Sequence, residues 1–347
     1  MKILARAFKA GLILVQVLIL GVCVWLALEA RRTAAVRPRP VLVEIEKGWN
    51  VRTIAEALKR AGVLTKKTPF IGRYRFLSSR PALKAGQYEL TAPSSPQAVL
   101  EALTRGLVYL KPVTVAEGLT ARETFPLFVA TGFGAEADFA KAAADTAALG
   151  LMDPLAADLE GYLFPETYRL PKGISAAEIL SEMVNQFRAV FTESRRRRAA
   201  ALGFSVRETV ILASLIEKET GRQEEKPLVS SVFHNRLRAG MRLDCDPTII
   251  YALKKAGTYD GKLHGKDLKL DSPYNTYLHA GLPPGPICNP GRASLEAALN
   301  PAQSDYLFFV AAGDGSHRFS RNLREHNRAV DDYRRSRTPS IASPGKF

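Results

Sequence analysis

At 347 residues, with 46% hydrophobic and 24% charged side chains, the chain has length for two or three domains and can bury a core without staples. Three cysteines are too few for a disulfide framework, and His234, His264, His279, His317 and His326 stand at no zinc-ligand spacing, so no metal or cofactor is expected. The 49 Lys and Arg against 34 Asp and Glu leave a formal charge of +15, which calls for a negative partner: nucleic acid, an anionic membrane surface or an acidic polymer.

Leu12 to Leu28 is nearly all apolar, with Gln16 its one plainly polar side chain. Lys2, Arg6 and Lys9 precede it, and Arg31 and Arg32 follow. Counted with its flanks the run is long enough to cross a bilayer, so residues 1–10 are expected to be a short cytoplasmic stretch and 11–30 a transmembrane anchor. A cleavable signal peptide is the competing reading, but no small-x-small site closes the run, which exceeds a usual signal core. Basic residues on both sides nearly balance the charge rule, and Arg31, Arg32, Arg37 and Arg39 at the outer leaflet count against export. The very short amino terminus favours a signal anchor with the body outside the cytoplasm. There the positive charge meets no nucleic acid, and a membrane surface or an acidic wall polymer remains.

The body is expected to be an α+β fold. Residues 31–40 read as an extended Arg- and Pro-rich linker. Val41 to Glu46 alternates as a strand, Asn50 can cap, and Val51 to Ala61 carries a helical pattern through Ile54, Ala55 and Leu58 up to Gly62. Gln87 to Leu90 is a second strand, Ser95 a second cap, and Ala98 to Leu103 a helix stopped by Gly106. A third pass takes Val113 to Ala116, Thr120 as cap and Phe125 to Ala130, which suggests small strand-helix modules packed side by side. K-G-W-N-V-R-T-I-A-E-A-L, Lys47 to Leu58, resembles the start of a LysM module, a small fold that binds N-acetylglucosamine-containing glycans. Residues 41–112 are therefore expected to form a LysM-like unit.

Asp138 to Leu151 is alanine-rich and reads as a helix. Tyr162, Phe164 and Tyr168 gather around Pro165, either as a rigid wall for a sugar ring or as a core-packed turn. Ile179 to Phe191 is an amphipathic helix, and Arg195 to Arg198 a solvated helix face or a contact to an anionic surface. Val232 to Leu237 looks helical; Asp244 and Asp246 precede Pro247, and Thr248 can cap a helix from Ile249. Gly281 to Gly291 holds too many prolines for a helix or ladder and is a stiff loop, either a binding loop or a surface crossing. Ser294 caps a short helix to Leu299, Tyr306 to Ala311 and His317 to Phe319 form a hairpin, and Arg321 to Arg335 is the last helix. Residues 337–347 read as a disordered tail.

The stretch V-I-L-A-S-L-I-E-K-E-T, Val210 to Thr220, is an apolar run ending in two carboxylates around a lysine. On a helix, Val206, Val210, Ala213 and Glu217 share one stripe, and Glu219 points nearly the opposite way. A carboxyl at the end of an apolar stripe loses hydration, which favours its protonated form and suits Glu217 to general-acid work. The alternative is a helix-terminal glutamate paired with Lys218 or Arg222 in solvent.

E-G-Y-L-F-P-E-T-Y at Glu160 to Tyr168, A-S-L-I-E-K-E-T at Ala213 to Thr220, V-F-H-N-R-L, D-P-T, Y-N-T-Y and G-L-P-P-G-P-I, in this order behind an apolar amino terminus, resemble the endolytic murein transglycosylase family, the MltG or YceG-like proteins. The resemblance implies a transglycosylase domain over 113–336, with Glu217 at the position of the family's catalytic glutamate. It also implies an extracytoplasmic body on a bacterial inner membrane, peptidoglycan glycan strands as substrate, a role in limiting nascent strand length, and association with peptidoglycan synthases. Glu217 would protonate the oxygen linking N-acetylmuramic acid to N-acetylglucosamine, then take the proton of the muramic C6 hydroxyl as it closes on C1. Tyr274, Asn275 and Tyr277 are candidate contacts to the sugar, with Asn235 and Asp246 holding the substrate-binding loops. A non-catalytic wall-binding scaffold is one alternative; a true hydrolase pairing Glu217 with Asp244, Asp246 or Glu219 is another.

Overall fold

A computed structural model describes residues 38–337 together with residues 16, 17, 20 and 21. The rest of the anchor expected over 11–30 lies outside the described residues, as do most of the linker and of the tail. Among the described residues no single helix is long and apolar enough to cross a membrane. Two compact units divide the chain, one ending at Lys111 and one starting at Pro112.

In the first unit, β1 (Arg39–Ile45) and β2 (Gly86–Ala92) pair antiparallel, with Val43 opposite Tyr88 and Val41 opposite Leu90. Their alternation turns Val43, Ile45, Tyr88 and Leu90 to one buried face. Three helices cover it. In α1 (Val51–Arg60) the Asn50 side chain accepts from the Arg52 and Thr53 amides, and Ile54, Ala55 and Leu58 are buried. The second helix, α2 (Lys67–Phe76), has no counterpart in the sequence reading, because it buries Phe70 alone and so carries no periodic stripe. In α3 (Pro96–Arg105) Ser95 caps the start, Pro96 opens the first turn and Gly106 ends the helix at φ +73°.

The second unit begins differently from the expected third repeat. Strand β3 (Leu110–Thr114) pairs with β4 (Thr167–Pro171), not with the first two strands. Helix α4 (Ala121–Ala130) is held by a capping box between Thr120 and Glu123. The alanine-rich helix is shorter than expected: α5 (Glu136–Ala143) gives way to short 3₁₀ turns after the Asp145 side chain captures the Ala147 amide. Tyr162, Phe164 and Tyr168 are buried in the core, the second of the two expectations for them.

Around α6 (Ala176–Val190) and α7 (Glu193–Ala201) the core closes on α8 (Val206–Glu219), in which Thr209 to Ile216 are all buried. Helix α8 packs against α7, α9 (Lys226–Arg238), α10 (Asp246–Ala256) and α11 (Arg292–Leu299). The arginine run on α7 does internal work: Arg195 pairs with Glu296 at 3.1 Å and Arg198 donates to the Leu299 carbonyl at 3.0 Å, tying down the end of α11. A hairpin, β5 (Phe308–Ala311) and β6 (His317–Ser320), and α12 (Leu323–Arg337) complete the unit.

The proline-rich loop is not a surface crossing, since Ile287 to Gly291 are buried. Ile287 N–H donates to Ser214 Oγ at 3.0 Å. Asn289 accepts from the Gly161 and Leu163 amides at 3.0 and 3.1 Å and donates to the Leu119 carbonyl at 3.0 Å, so one amide joins three segments. Gly161 sits at φ +87°, and a Cβ there would lie 2.5 Å from Pro286. Both the conformation and the space require glycine. Gly161→Ala is therefore expected to cost about 2–4 kcal/mol in denaturant unfolding, and a cost below about 0.5 kcal/mol would show that the loop yields.

Candidate active site

The last turn of α8 carries two carboxylates two residues apart, which the helical step turns about 200° from each other. Their surroundings are opposite in kind.

Glu217 is enclosed by donors. Lys226 Nζ lies 3.0 and 3.2 Å from its two oxygens, with the two side chains 3% and 8% exposed. Oε2 also accepts from Gly291 N–H at 2.9 Å and from Ser294 Oγ at 2.7 Å. Lys226 is the first residue of α9, and Gly291 caps α11. The carboxylate thus clasps the starts of two helices, where the unpaired amides favour an anion. Ser294 is not the cap expected from sequence: the cap position is Gly291, and the serine hydroxyl turns to Glu217 instead. Gly118 backs the glutamate, and Lys218 donates to the Gly118 carbonyl at 3.2 Å. The Glu117 carboxyl lies against Gly291, and desolvation, then the charge of Glu217, raises its pKa.

Glu219 lies deep in the protein yet keeps partial contact with solvent. Burial pushes its pKa up to about 7, against a bond from the Cys245 thiol and with support from the Asp246 charge; His317 and Arg236 pull the other way. Three of the sequence motifs converge to build this side. Arg236 of V-F-H-N-R-L donates to the Arg242 and Leu243 carbonyls at 3.1 and 2.9 Å and to Asp244 at 3.1 Å. Asp244 adopts φ +47°, a left-handed conformation that these bonds hold in place. Thr276 of Y-N-T-Y accepts from Cys245 N–H at 3.0 Å and shares a 3.0 Å bond with Thr248 of D-P-T. Thr248 is accordingly inside α10 rather than at its cap, and the helix starts at Asp246. Across the site His317 Nδ1 meets Glu225 at 2.7 Å. Burial alone would raise Glu225, but its bonds from His317 hold it below the usual carboxylate range.

Of the other candidate residues, Asp246, whose charge acts on Glu219, accepts from the Tyr277 phenol at Oδ1 at 2.7 Å. Asn235 spends its amide on the Ser304 and Tyr306 carbonyls at 2.9 and 2.8 Å, holding the loop before β5. Asn275 is fully buried; it donates to the Leu268 and Leu270 carbonyls and accepts from Tyr277 N–H. Tyr274 stacks at a tilt on Tyr251, 4.9 Å between ring centres. Sequence reasoning missed Lys226, Ser294, Arg236, Cys245 and His317; a lysine and a serine in the first turns of helices give no pattern that names a partner 70 or more residues away, as Ser294 does for Glu217. Cys245 and Cys288 are both buried and free, with no disulfide between them.

Because the clasp is a buried ion pair, breaking one side strands the other. Lys226→Met is expected to cost about 3–5 kcal/mol, and Glu217→Gln combined with Lys226→Met less than Lys226→Met alone. Chemical denaturation of the three variants measures this, and a near-neutral Lys226→Met would show the pair to be dispensable.

The model of the YceG-like family matches residues 43–332. Over 309 residues the chain is 34% identical to the endolytic murein transglycosylase of Bacillus subtilis (strain 168), covering 84% of both proteins. It is 30% identical over 325 residues to the endolytic murein transglycosylase of Streptococcus pneumoniae (strain ATCC BAA-255 / R6), covering 84% of this chain but 58% of that longer relative. It is also similar to the 2.6 Å crystal structure of a yceG-like protein from Listeria monocytogenes, with a TM-score of 0.57 and 34% identity over 83% of this chain and 98% of the other. Since the matched segment takes in both carboxylates and every loop that surrounds them, the chain belongs to the YceG-like family.

Proposed function

We propose that the protein is an endolytic peptidoglycan lytic transglycosylase, cutting the bond between N-acetylmuramic acid and N-acetylglucosamine within glycan strands, and that Glu219 rather than Glu217 moves the proton. Relatives at 30–34% identity that bear the name endolytic murein transglycosylase support the reaction. One observation carries the choice of residue. Every hydrogen-bond partner of Glu217 is a donor that suits a fixed carboxylate, whereas Glu219, which like Glu217 keeps partial contact with solvent, is desolvated and holds its proton to about pH 7.

The neutral Glu219 carboxyl gives its proton to the glycosidic oxygen as the C1–O bond breaks, and the N-acetylglucosamine side leaves as an alcohol. The carboxylate then takes the proton of the muramic C6 hydroxyl while that oxygen bonds to C1, closing a 1,6-anhydro ring. Glu219 ends protonated, and no water is consumed. Tyr277 and Asp246 border the reacting sugar, and Asn235, Asn275 and Arg236 keep the loops in place.

The wider setting belongs to the same reading. The apolar run Leu12 to Leu28 supports an inner-membrane anchor with the body outside the cytoplasm, and the net charge of +15 supports contact with an acidic wall or membrane surface. The strand-helix-helix-strand order of the first unit, with antiparallel β1 and β2, supports a LysM-like glycan-binding role. Action on nascent strands next to peptidoglycan synthases is what the family resemblance implies. A second reading, hydrolysis with Asp246 as base for a water, has the Asp246 charge beside Glu219 in its favour.

Full-length protein incubated with purified glycan strands should give anhydro-ended fragments by mass spectrometry. Glu219→Gln should lower kcat about 10²–10⁴-fold with the fold retained, while Glu217→Gln should act chiefly through stability. A folded, inactive Glu217→Gln beside an active Glu219→Gln would return the proton to Glu217, and reducing ends would favour the hydrolase. The acid form is the active one, so kcat should fall as pH rises through about 7. Cys245→Ala removes a bond that lowers the Glu219 pKa and should shift this limb upward.

A further inference from the structure

A cavity of ≈ 650 Å³ opens between the start of α4, one face of α5, the turn at Asp158 to Glu160 and the second half of α10. Neither Glu217 nor Glu219 lines it.

Its charges are of both signs. Lys254 and Glu123 bond at 2.7 Å and cancel. Arg122 and Lys255 remain as cations and Glu136 and Asp158 as anions, with no ion-pair partner for any of them among the described residues. The aromatic groups do not suit a sugar: the Tyr251 ring is covered by Tyr274 at 4.9 Å, and the Lys255 ammonium lies over both rings at 5.8 and 5.3 Å. Phe125 is buried. Hence no free ring face is left for stacking. Exposed Ala137 and Ala140 give instead a smooth wall that accepts small methyl groups.

At its base Glu160 is buried, with Ala121 N–H donating to Oε1 at 3.0 Å and the Tyr251 hydroxyl 3.4 Å from Oε2. Desolvation raises its pKa to about 8, so the carboxyl is neutral and can donate as well as accept, as a peptide amide requires. Helix α10 ties the cavity to the site. It begins at Asp246, beside Glu219, and reaches Lys254 and Lys255 about 13 Å later at 1.5 Å per residue, which an extended peptide of about four residues spans.

We propose that this cavity is a subsite for the short zwitterionic peptide carried by the muramic acid beside the cleaved bond. The proposal rests on the transglycosylase reading above. It makes the enzyme a reader of peptide-bearing strands, in which the peptide positions the sugar chain over Glu219.

The test compares full-length wild type with Ala140→Trp, which fills the cavity, and Lys255→Glu, which reverses one charge; both positions are exposed, so the fold is retained. Initial rates are measured on glycan strands bearing peptides and on the same strands stripped of peptide by an amidase. Wild type should cleave stripped strands with kcat/KM about tenfold lower, and both variants should fall to that level on peptide-bearing strands while matching wild type on stripped ones. Equal wild-type rates on the two substrates, or variants that slow both alike, would overturn the proposal. Calorimetric titration with a disaccharide tetrapeptide reads the cavity without cleavage. If neither strand is cut, the reaction assignment fails, and the subsite stands on saturable binding lost in both variants and falls without it.

Discussion

The carboxylate of Glu217 is the point on which the second unit depends. One side chain at the end of the buried helix α8 receives the first lysine of α9, the capping amide of α11 and a hydroxyl one turn further. Taking such a charge out of water is costly, and the cost is met only because three donors converge on it. The return is orientation: with α9 and α11 fixed to the end of α8, the Asn289 hub and the proline-rich loop are locked against Gly161.

On the proposed reading, two glutamates two residues apart on one turn divide structure from chemistry. The division comes from partners, not from the residues themselves. Glu217 is surrounded by donors that belong to helix starts, while Glu219 meets a thiol and a like charge at Asp246, with His317 and Arg236 acting to lower its pKa and burial outweighing them. Desolvation without full compensation is what a proton carrier needs and what a structural carboxylate cannot bear.

Much of this was legible in the sequence, and the failures have physical causes. Asn50, Ser95 and Thr120 announce helix starts because capping is local, and the alternation in β1 and β2 announces a one-faced sheet. The motifs that converge on the site were also visible as motifs. What periodicity could not resolve was which face of α8 is which: Thr209 to Ile216 are buried all round, so the stripe leading to Glu217 does not distinguish a cleft from a core. Ser294 and Thr248 looked like caps because their residue type suits one, but distant partners, Glu217 and Thr276, claimed their hydroxyls. Helix α2 was silent because a single buried phenylalanine makes no pattern.

The thiol beside Glu219 carries a consequence of a different kind. Thiols react with oxidants as thiolates, and burial holds the Cys245 proton on its sulfur well beyond the ordinary range. Cys288, equally enclosed, is protected in the same way. The desolvation that raises the Glu219 pKa thus also raises that of its sulfur neighbour and disfavours the thiolate through which oxidants act.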